Sequence, residues 1–259
     1  MCAVLRSHRL AADRGPPLLI VPGTPNTVAA NLAARVAQRP DGVIRNYGLA
    51  GLERSQSYAE MWHRSGHILA AMREFGIAPG QIVVLLIDDV VDFVPAYWAC
   101  VRGGFIVAPL VSAARDRQRS RGALEQALSR LSNAILVADE VFAAVATDHA
   151  RRRGLRVLRL RISESNGGRE AENGPHAEPL CLIPSSGSTG NLKLVALSHS
   201  SVLNRHFADR FEKQASYLGT VALDSVSTAQ HGIFLRYGSW TQNIPNGTDG
   251  ATDVRPGRY

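Results

Sequence analysis

Short apolar runs alternate along the chain with segments whose apolar residues recur every three or four positions. The run "QIVVLLI" is continuous, short and rich in β-branched residues, which is typical of a strand buried on both faces. A helix predicted over about residues 91–102 and a second apolar strand, "FIVAPL", follow it. A strand, a helix and another strand in this order predict a parallel βαβ unit.

The same alternation continues beyond this unit and indicates the fold class. A helix over residues 124–131, the strand "AILVAD", a helix over residues 141–152 and the strand "LRVLRL" follow in turn. The pattern therefore predicts an α/β fold with layered, mainly parallel sheets flanked by helices.

The chain before these elements carries a helix, a hairpin and a second helix. The segment "TVAANLAARVAQRP" has helical spacing and ends at Pro40, and "GVIRNYGLAGLERSQSY" predicts two short strands around a glycine-containing turn. Residues 58–75 then form a predicted helix that Gly76 ends. The apolar residues on one face of this helix are Met61, Ile68, Leu69 and Met72.

Changes in composition predict a division into five segments. We expect a poorly patterned segment over residues 1–26 and a first α/β subdomain over residues 27–162. A polar loop over 163–178 separates this subdomain from a segment over 179–245 that begins a second one. Residues 246–259 show no burial pattern and predict an irregular tail.

Length and composition indicate a globular, soluble protein of the reducing cytoplasm. The 259 residues are 45% hydrophobic, which is enough to bury a sizeable core. No apolar run approaches the roughly 20 residues of a membrane helix. Three cysteines, Cys2, Cys100 and Cys181, are far apart and outside any C-x-x-C spacing, so neither a disulfide framework nor a zinc site is predicted.

The net charge of +7 raises the question of a nucleic-acid partner. Much of the positive charge lies in "RDRQRSR" (115–121) and "RRRGLRVLRLR" (151–161), where few aromatic residues are available to stack on bases. Solvated arginine-rich helix faces explain these segments better than nucleic-acid binding does. An acidic protein partner ranks between these two interpretations.

The segment "SSGSTGNLK" has the residue types of a phosphate-binding loop. The apolar runs "LCLIP" and "LVALS" flank it, so it joins two predicted strands, although its composition also fits a flexible linker. Glycine backbone N–H groups, hydroxyls and a lysine ammonium are all suited to a polyphosphate. The candidate residues are Ser185, Ser186, Gly187, Ser188, Thr189, Gly190 and Lys193.

The spacing of this segment excludes two common motifs. The G-x-x-x-x-G-K-S/T spacing of a Walker A loop is absent, and a strand follows where that motif requires a helix. The G-x-S-x-G nucleophile elbow is absent as well. Only Lys193 and Lys213 are lysines among 29 basic residues, so a lysine directly after this loop is notable.

Other polar residues carry simpler interpretations. The pair His63 and His67 has i, i+4 spacing but does not match H-E-x-x-H, and we predict no metal site. Three aspartates, Asp88, Asp89 and Asp92, follow a strand and suit the N-terminus of the next helix better than acid/base catalysis. For His199 we expect a cap on the helix that follows it, with a direct chemical role as the alternative.

With its continuation, the segment closely resembles the phosphate-binding signature of the AMP-dependent synthetases and ligases. That signature reads Ser/Thr-Ser-Gly-Ser/Thr-Thr-Gly-x-Pro-Lys-Gly followed by a Ser-His or Thr-His pair, here Ser198 and His199. Upstream landmarks of the family are matched by "SYAEM", "PGQ" and "APL". The wording "DDVVDFVPAYWACVRGGF" is most similar to the fatty-acyl-AMP ligase branch of polyketide and nonribosomal peptide assembly lines. The resemblance runs from about residue 27 to residue 245.

The resemblance implies a reaction and its partners. A carboxylic acid, fatty acyl or related, would react with ATP to give acyl-AMP and pyrophosphate, and the acyl group would pass to the thiol of an acyl carrier protein. The loop would hold the β and γ phosphates and Mg²⁺ would offset their charge. The chemistry depends on positioning, so we assign no catalytic residue.

Departures from the family pattern qualify this expectation. Leu192 and Leu194 replace the proline and glycine of the signature, and Ser225 stands where the branch has a histidine. Family members are about twice as long. They carry a motif at the adenine site, an aspartate that binds the ribose hydroxyls and a C-terminal lysine that supports adenylation, and none of these is identified here. We therefore expect a truncated N-terminal part with poor catalysis by itself. An inactive nucleotide- or partner-binding remnant and an arginine-rich nucleic-acid binder are the alternatives.

Overall fold

The computed structural model describes residues 25–48, 51–110, 120–160, 172–186 and 192–203. Its helices are α1 (Val28–Gln38), α2 (Tyr58–Glu74), α3 (Val90–Gly103), α4 (Ser120–Ser129) and α5 (Ala143–Arg153). Its strands are β1 (Val43–Gly48), β2 (Gly51–Ser57), β3 (Ile82–Leu86), β4 (Ile106–Pro109), β5 (Ile135–Ala138), β6 (Arg156–Arg159), β7 (Cys181–Ser186) and β8 (Leu192–Leu197).

Six strands form one sheet in the order β6-β5-β3-β4-β7-β8. The first five are mutually parallel, whereas β8 pairs antiparallel with β7 at one edge. β1 and β2 form a separate antiparallel hairpin. The prediction of an α/β fold with a mainly parallel sheet is therefore confirmed, as are the βαβ unit and the N-terminal hairpin.

Strand order and handedness determine which helices share a face of the sheet. The chain moves in one direction from β3 to β4 and in the opposite direction from β4 to β5 and from β5 to β6. Since such crossovers are right-handed, α3 lies on one face and α4 and α5 lie on the other. A hydrogen bond between His149 of α5 and Glu125 of α4, with Nδ1 2.7 Å from Oε2, agrees with this placement.

The core lies between the sheet and these helices. Strands β3 and β5 are buried along almost their whole length, as their continuous apolar sequences predicted. In α3 most side chains are buried, including the large rings of Phe93, Tyr97 and Trp98. Cys100 and Cys181 are free thiols buried in this core, and burial raises the pKa of Cys181 to about 12.

Local signals define the ends of α2. The Ser57 hydroxyl accepts a hydrogen bond from the Glu60 N–H, and the Glu60 carboxylate accepts one from the Ser57 N–H, which is a capping box. The hydrogen bonds from Ser57 lower the pKa of Glu60, so its carboxylate stays ionised at neutral pH. At the other end Gly76 has φ of +86°, a conformation that glycine adopts without strain.

The segment between β6 and β7 packs, where described, against the end of α3. Asn173 accepts a hydrogen bond from Arg102 Nε at 2.9 Å, and the Gly174 N–H donates to the Arg102 carbonyl at 2.7 Å. β7 follows this segment and pairs with β4 in the same sheet. The boundaries of the two subdomains stay a prediction, and segments 1–24 and 204–259 lie outside the described residues.

No helix within the described ranges is long and apolar enough to cross a membrane.

Candidate functional site

The two strands that flank the signature form an antiparallel hairpin. In its register Ser185 lies opposite Lys193 and Ser186 lies opposite Leu192. Directly opposed residues of an antiparallel pair have Cα atoms about 4.5–5.5 Å apart. The hairpin therefore brings the first serine of the signature next to its lysine, although eight positions separate them in the sequence.

The structure describes some of the predicted site residues and not others. Ser185 and Ser186 end β7, and the exposed Lys193 lies near the start of β8. The predicted Gly187, Ser188, Thr189 and Gly190 lie outside the described residues. The sequence predicted that "SSGSTGNLK" joins two strands, and these strands extend into both ends of the segment, because their pairing continues to Ser186 and Leu192.

The described ends of the hairpin, Ser186 and Leu192, lie at the edge of the sheet where ligands of open α/β folds bind. Because β3, β4, β5, β6 and β7 are parallel, their carboxyl ends lie at one edge, and β7 runs into the signature at that edge. Asp88 and Asp139 follow β3 and β5 at the same edge. An Asp139 carboxylate oxygen accepts a hydrogen bond from the Asp88 N–H at 2.6 Å.

The aspartates after β3 have structural roles, as the helix interpretation predicted. Asp89 is the N-cap of α3, and its carboxylate accepts from the Val91 N–H at 2.8 Å. Asp92 forms an ion pair with Arg64 of α2 at 2.5 Å. In the described part of the chain, no three His, Cys, Asp or Glu side chains gather as a metal site would require.

His199 follows the hairpin and lies buried at the start of α1. Its Nδ1 accepts a hydrogen bond from the N–H of Val28, the first residue of that helix, at 3.1 Å. Thr27 Oγ1 accepts from the Ala30 N–H at 3.1 Å, so two of the N-terminal donors of α1 have side-chain partners. The residue that caps the helix after β8 is Ser198, whose hydroxyl accepts from the Ser201 N–H. Our expectation that His199 caps the following helix is therefore wrong.

The surroundings of His199 favour the neutral imidazole. Burial lowers the pKa of His199, and the His176 ring, 5.4 Å away between centroids, lowers it further. Glu178 and a hydrogen bond with the backbone of Ala177 act in the opposite direction. The pKa still lies below its ordinary value, in keeping with an Nδ1 atom that must stay unprotonated to accept from Val28.

Protein stability should therefore fall as the pH is lowered below about 6.5, the ordinary pKa of histidine. In that range the unfolded chain takes up a proton that folded His199 resists, so the linkage favours unfolding. Urea unfolding of the wild type and of His199→Asn at pH 8.0 and 5.5 measures this effect. The variant should be less stable than the wild type at pH 8.0, and its free energy of unfolding should fall less between pH 8.0 and pH 5.5. Equal falls in both proteins would contradict a neutral, hydrogen-bonded His199.

Sequence reasoning missed a buried cation close to this region. Arg102 is buried, and its Nη1 donates to the Trp62 carbonyl and to Ser65 Oγ, both at 2.7 Å. Its guanidinium lies 3.7 Å from the centroid of the Trp62 ring. An arginine within the otherwise apolar stretch "YWACVRGG" was the available signal.

Comparisons with known proteins agree with this fold. The model of the AMP-binding enzyme family matches residues 32–238. A nonribosomal peptide synthetase of Aspergillus terreus is 26% identical over 211 residues, which cover 76% of this chain and 22% of that protein. The chain thus spans about a fifth of the length of this relative.

Two solved structures share the fold. McyG A-PCP complexed with phenylalanyl-adenylate superposes with a TM-score of 0.68 at 24% identity, over 83% of this chain and 35% of that one. A fatty acyl-adenylate ligase from L. pneumophila, in complex with acyl adenylate and pyrophosphate, gives a TM-score of 0.64 at 17% identity, over 83% of this chain and 38% of that one. Since the family match also spans well over half of the sequence, this chain belongs to the AMP-binding enzyme family.

Proposed function

We propose that this chain supplies the phosphate-binding part of an enzyme that activates a carboxylic acid with ATP. The observation that carries the proposal is the β7–β8 hairpin, whose register sets Ser185 opposite Lys193 at the carboxyl edge of the sheet. Membership of the AMP-binding enzyme family supports ATP as the nucleotide. The relatives are much longer than this chain, so the complete reaction belongs to the proposal.

In the proposed reaction a carboxylate oxygen of the acid attacks the α-phosphorus of ATP. The bond from that phosphorus to the bridging oxygen breaks, and pyrophosphate leaves with the bonding electrons. The signature residues Ser185 to Gly190 and Lys193 hold the β and γ phosphates and stabilise the charge that the leaving group gains. The protein need not supply an acid or a base, because no proton is transferred in this step.

The donor set of the hairpin suits a nucleotide that arrives with its own cation. Hydroxyls, backbone N–H groups and an ammonium are donors toward phosphate and do not form a cage for a metal ion. Mg²⁺ bound to a nucleotide takes phosphate oxygens and water as most of its ligands. When bound, it offsets the charge of the phosphates, and we assign it no protein ligand.

The substrate and the acceptor are finer parts of the proposal. We propose a fatty or related acid, and the adenylate complexes among the similar solved structures support an acyl adenylate as the intermediate. The thiol of an acyl carrier protein would then attack the acyl carbon, forming a thioester with AMP as the leaving group. The match to a nonribosomal peptide synthetase supports a carrier-bound product.

Calorimetric titration of the 259-residue chain with ATP, pyrophosphate and AMP, each with Mg²⁺, tests the phosphate-binding role. If the signature holds the β and γ phosphates, ATP and pyrophosphate should bind at least about tenfold more tightly than AMP, a difference of about 1.4 kcal/mol. Equal affinities for ATP and AMP would contradict the role. Because we expect poor catalysis by this chain alone, pyrophosphate exchange with fatty and aryl acids should be weak or undetectable. Robust exchange with one acid would identify that acid and would contradict the remnant.

A further inference from the structure

The outer edge of β6 carries arginines that the proposed nucleotide site does not use. Arg156 and Arg159 are the exposed first and last residues of the strand, and Arg151 and Arg152 are exposed in the last turn of α5. We call these four residues the arginine row. β7 lies four strands from β6 in the sheet, a distance of about 19 Å at the usual strand spacing.

Among the described residues, the arginine row has more positive charge than its neighbours compensate. Arg151 and Arg152 both donate to the carboxylate of Asp148, with Arg151 Nη2 3.3 Å from Oδ1. The hydrogen bond from Arg152 lowers the pKa of Asp148, so this carboxylate is ionised at neutral pH. One negative charge therefore serves two guanidinium groups.

In the part of the chain that the structure describes, the partners of the two strand arginines are neutral. Arg156 donates to the carbonyls of Phe75 and Gly76, and its guanidinium lies 4.4 Å from the centroid of the Phe75 ring. Arg159 Nη2 lies 3.5 Å from Thr147 Oγ1. The contacts of Arg156 lie at the end of α2, whereas the contact of Arg159 lies on α5. The guanidinium groups of Arg156 and Arg159 therefore lie on opposite faces of the sheet.

Within the described ranges, backbone groups along the outer edge of β6 also have no strand partner. Among the described strands β6 pairs only with β5. The Leu160 N–H donates to the Ala138 carbonyl of β5 at 2.8 Å. Since successive residues of a strand direct their N–H groups to opposite sides, those of Val157 and Arg159 point toward the outer edge.

We propose that the outer edge of β6 is a docking surface for an extended, acidic polypeptide segment of a partner protein. An added strand would bond to the outward N–H groups of Val157 and Arg159, and its carboxylates would reach the arginine row on both faces. Arginines at a sheet edge also prevent edge-to-edge aggregation, but that role requires no bound partner. Nucleic acid fits less well, because Arg156 covers Phe75, the aromatic ring next to the row.

Fluorescence anisotropy of the complete chain with a labelled nonapeptide that repeats Glu-Glu-Thr tests this proposal. This repeat places carboxylates on both faces of an extended strand. The double variant Arg151→Glu, Arg159→Glu should weaken binding by about tenfold or more, because two attractive contacts become repulsive. The double variant Arg39→Glu, Arg54→Glu changes the net charge equally near the separate β1–β2 hairpin and should change affinity less than about twofold.

Hydrogen exchange separates strand pairing from simple charge attraction. Bound peptide should slow exchange at the amides of Val157 and Arg159, and the same peptide N-methylated at alternate residues should bind more weakly. Absence of peptide binding at millimolar concentration, equal losses in both double variants, or unchanged exchange at these two amides would each overturn the proposal. So would tighter binding of a nonathymidylate through the arginine row, which would indicate nucleic acid instead. Because ATP is absent from these assays, their outcome is independent of the proposed nucleotide site.

Discussion

Replacement of Lys193 by alanine should weaken ATP binding by about one to two decades. Lys193 lies opposite Ser185 in the register of the hairpin, and we propose that its ammonium contacts the terminal phosphates. A hydrogen bond to a charged group contributes about 1.5–3 kcal/mol, which corresponds to that range in Kd. Calorimetry at fixed Mg²⁺ and salt concentrations measures the change, since screening alters exposed charges.

Two companion variants make this result specific. Lys213→Ala removes the same type of charge outside the signature and should leave ATP affinity unchanged. Lys193→Arg keeps the charge but replaces a compact ammonium with a planar guanidinium, and it should restore only part of the affinity. If Lys193→Ala and Lys213→Ala both bound ATP as the wild type does, the phosphate-binding interpretation would lose its support and the segment would be better described as a linker.

Replacement of Gly104 by alanine should cost about 3 kcal/mol or more of the free energy of unfolding. Gly104 ends α3 with φ of +70°, and an added Cβ would lie 1.7 Å from the Pro175 carbonyl oxygen. The left-handed conformation alone costs a non-glycine residue about 1–2 kcal/mol. The rest of the expected loss in stability comes from displacement of the segment after Glu172, which would break the hydrogen bond between Arg102 and Asn173.

Gly154 provides a matched control for this experiment. It ends α5 in the same left-handed conformation, with φ of +65°, but an added Cβ would meet no atom within 4 Å. Gly154→Ala should therefore lower the free energy of unfolding by only about 1–2 kcal/mol, which is the cost of the left-handed conformation alone. Urea denaturation of both variants measures the difference, and equal losses would show that the Pro175 contact contributes nothing to stability.

The sequence predicted the elements of the fold better than their arrangement. Apolar periodicity depends on the burial of each segment, so the β-branched run of β3 and the helical face of α2 could be recognised locally. The strand order depends on contacts between distant segments, and no local pattern indicates that β5 lies beside β3 while β4 lies on its other side. The direction of β8, by contrast, has a local cause, because its short connection to β7 allows only antiparallel pairing.

The sequence likewise predicted some residues of the candidate site and missed the roles of others. Its residue types were recognisable because a glycine- and hydroxyl-rich segment between two apolar runs ends in a rare lysine. The role of His199 was not recognisable, since its partner Val28 lies 171 positions away and donates through the backbone. Arg102 was missed for a related reason, because its partners Trp62 and Asn173 come from distant segments.

The place of the hairpin in the sheet affects how the nascent chain folds. Strands β3 to β6 occupy adjacent positions in the sheet and lie within residues 82–159, so they can pair before β7 has been synthesised. Until then β4 has an open edge, which is a hazard for aggregation during synthesis. The hydrogen bond between Val28 and His199 closes a loop of 171 positions, and it requires that the chain has been synthesised beyond β8. The strand that leads into the phosphate signature, β7, thus also covers the edge that β4 would otherwise expose.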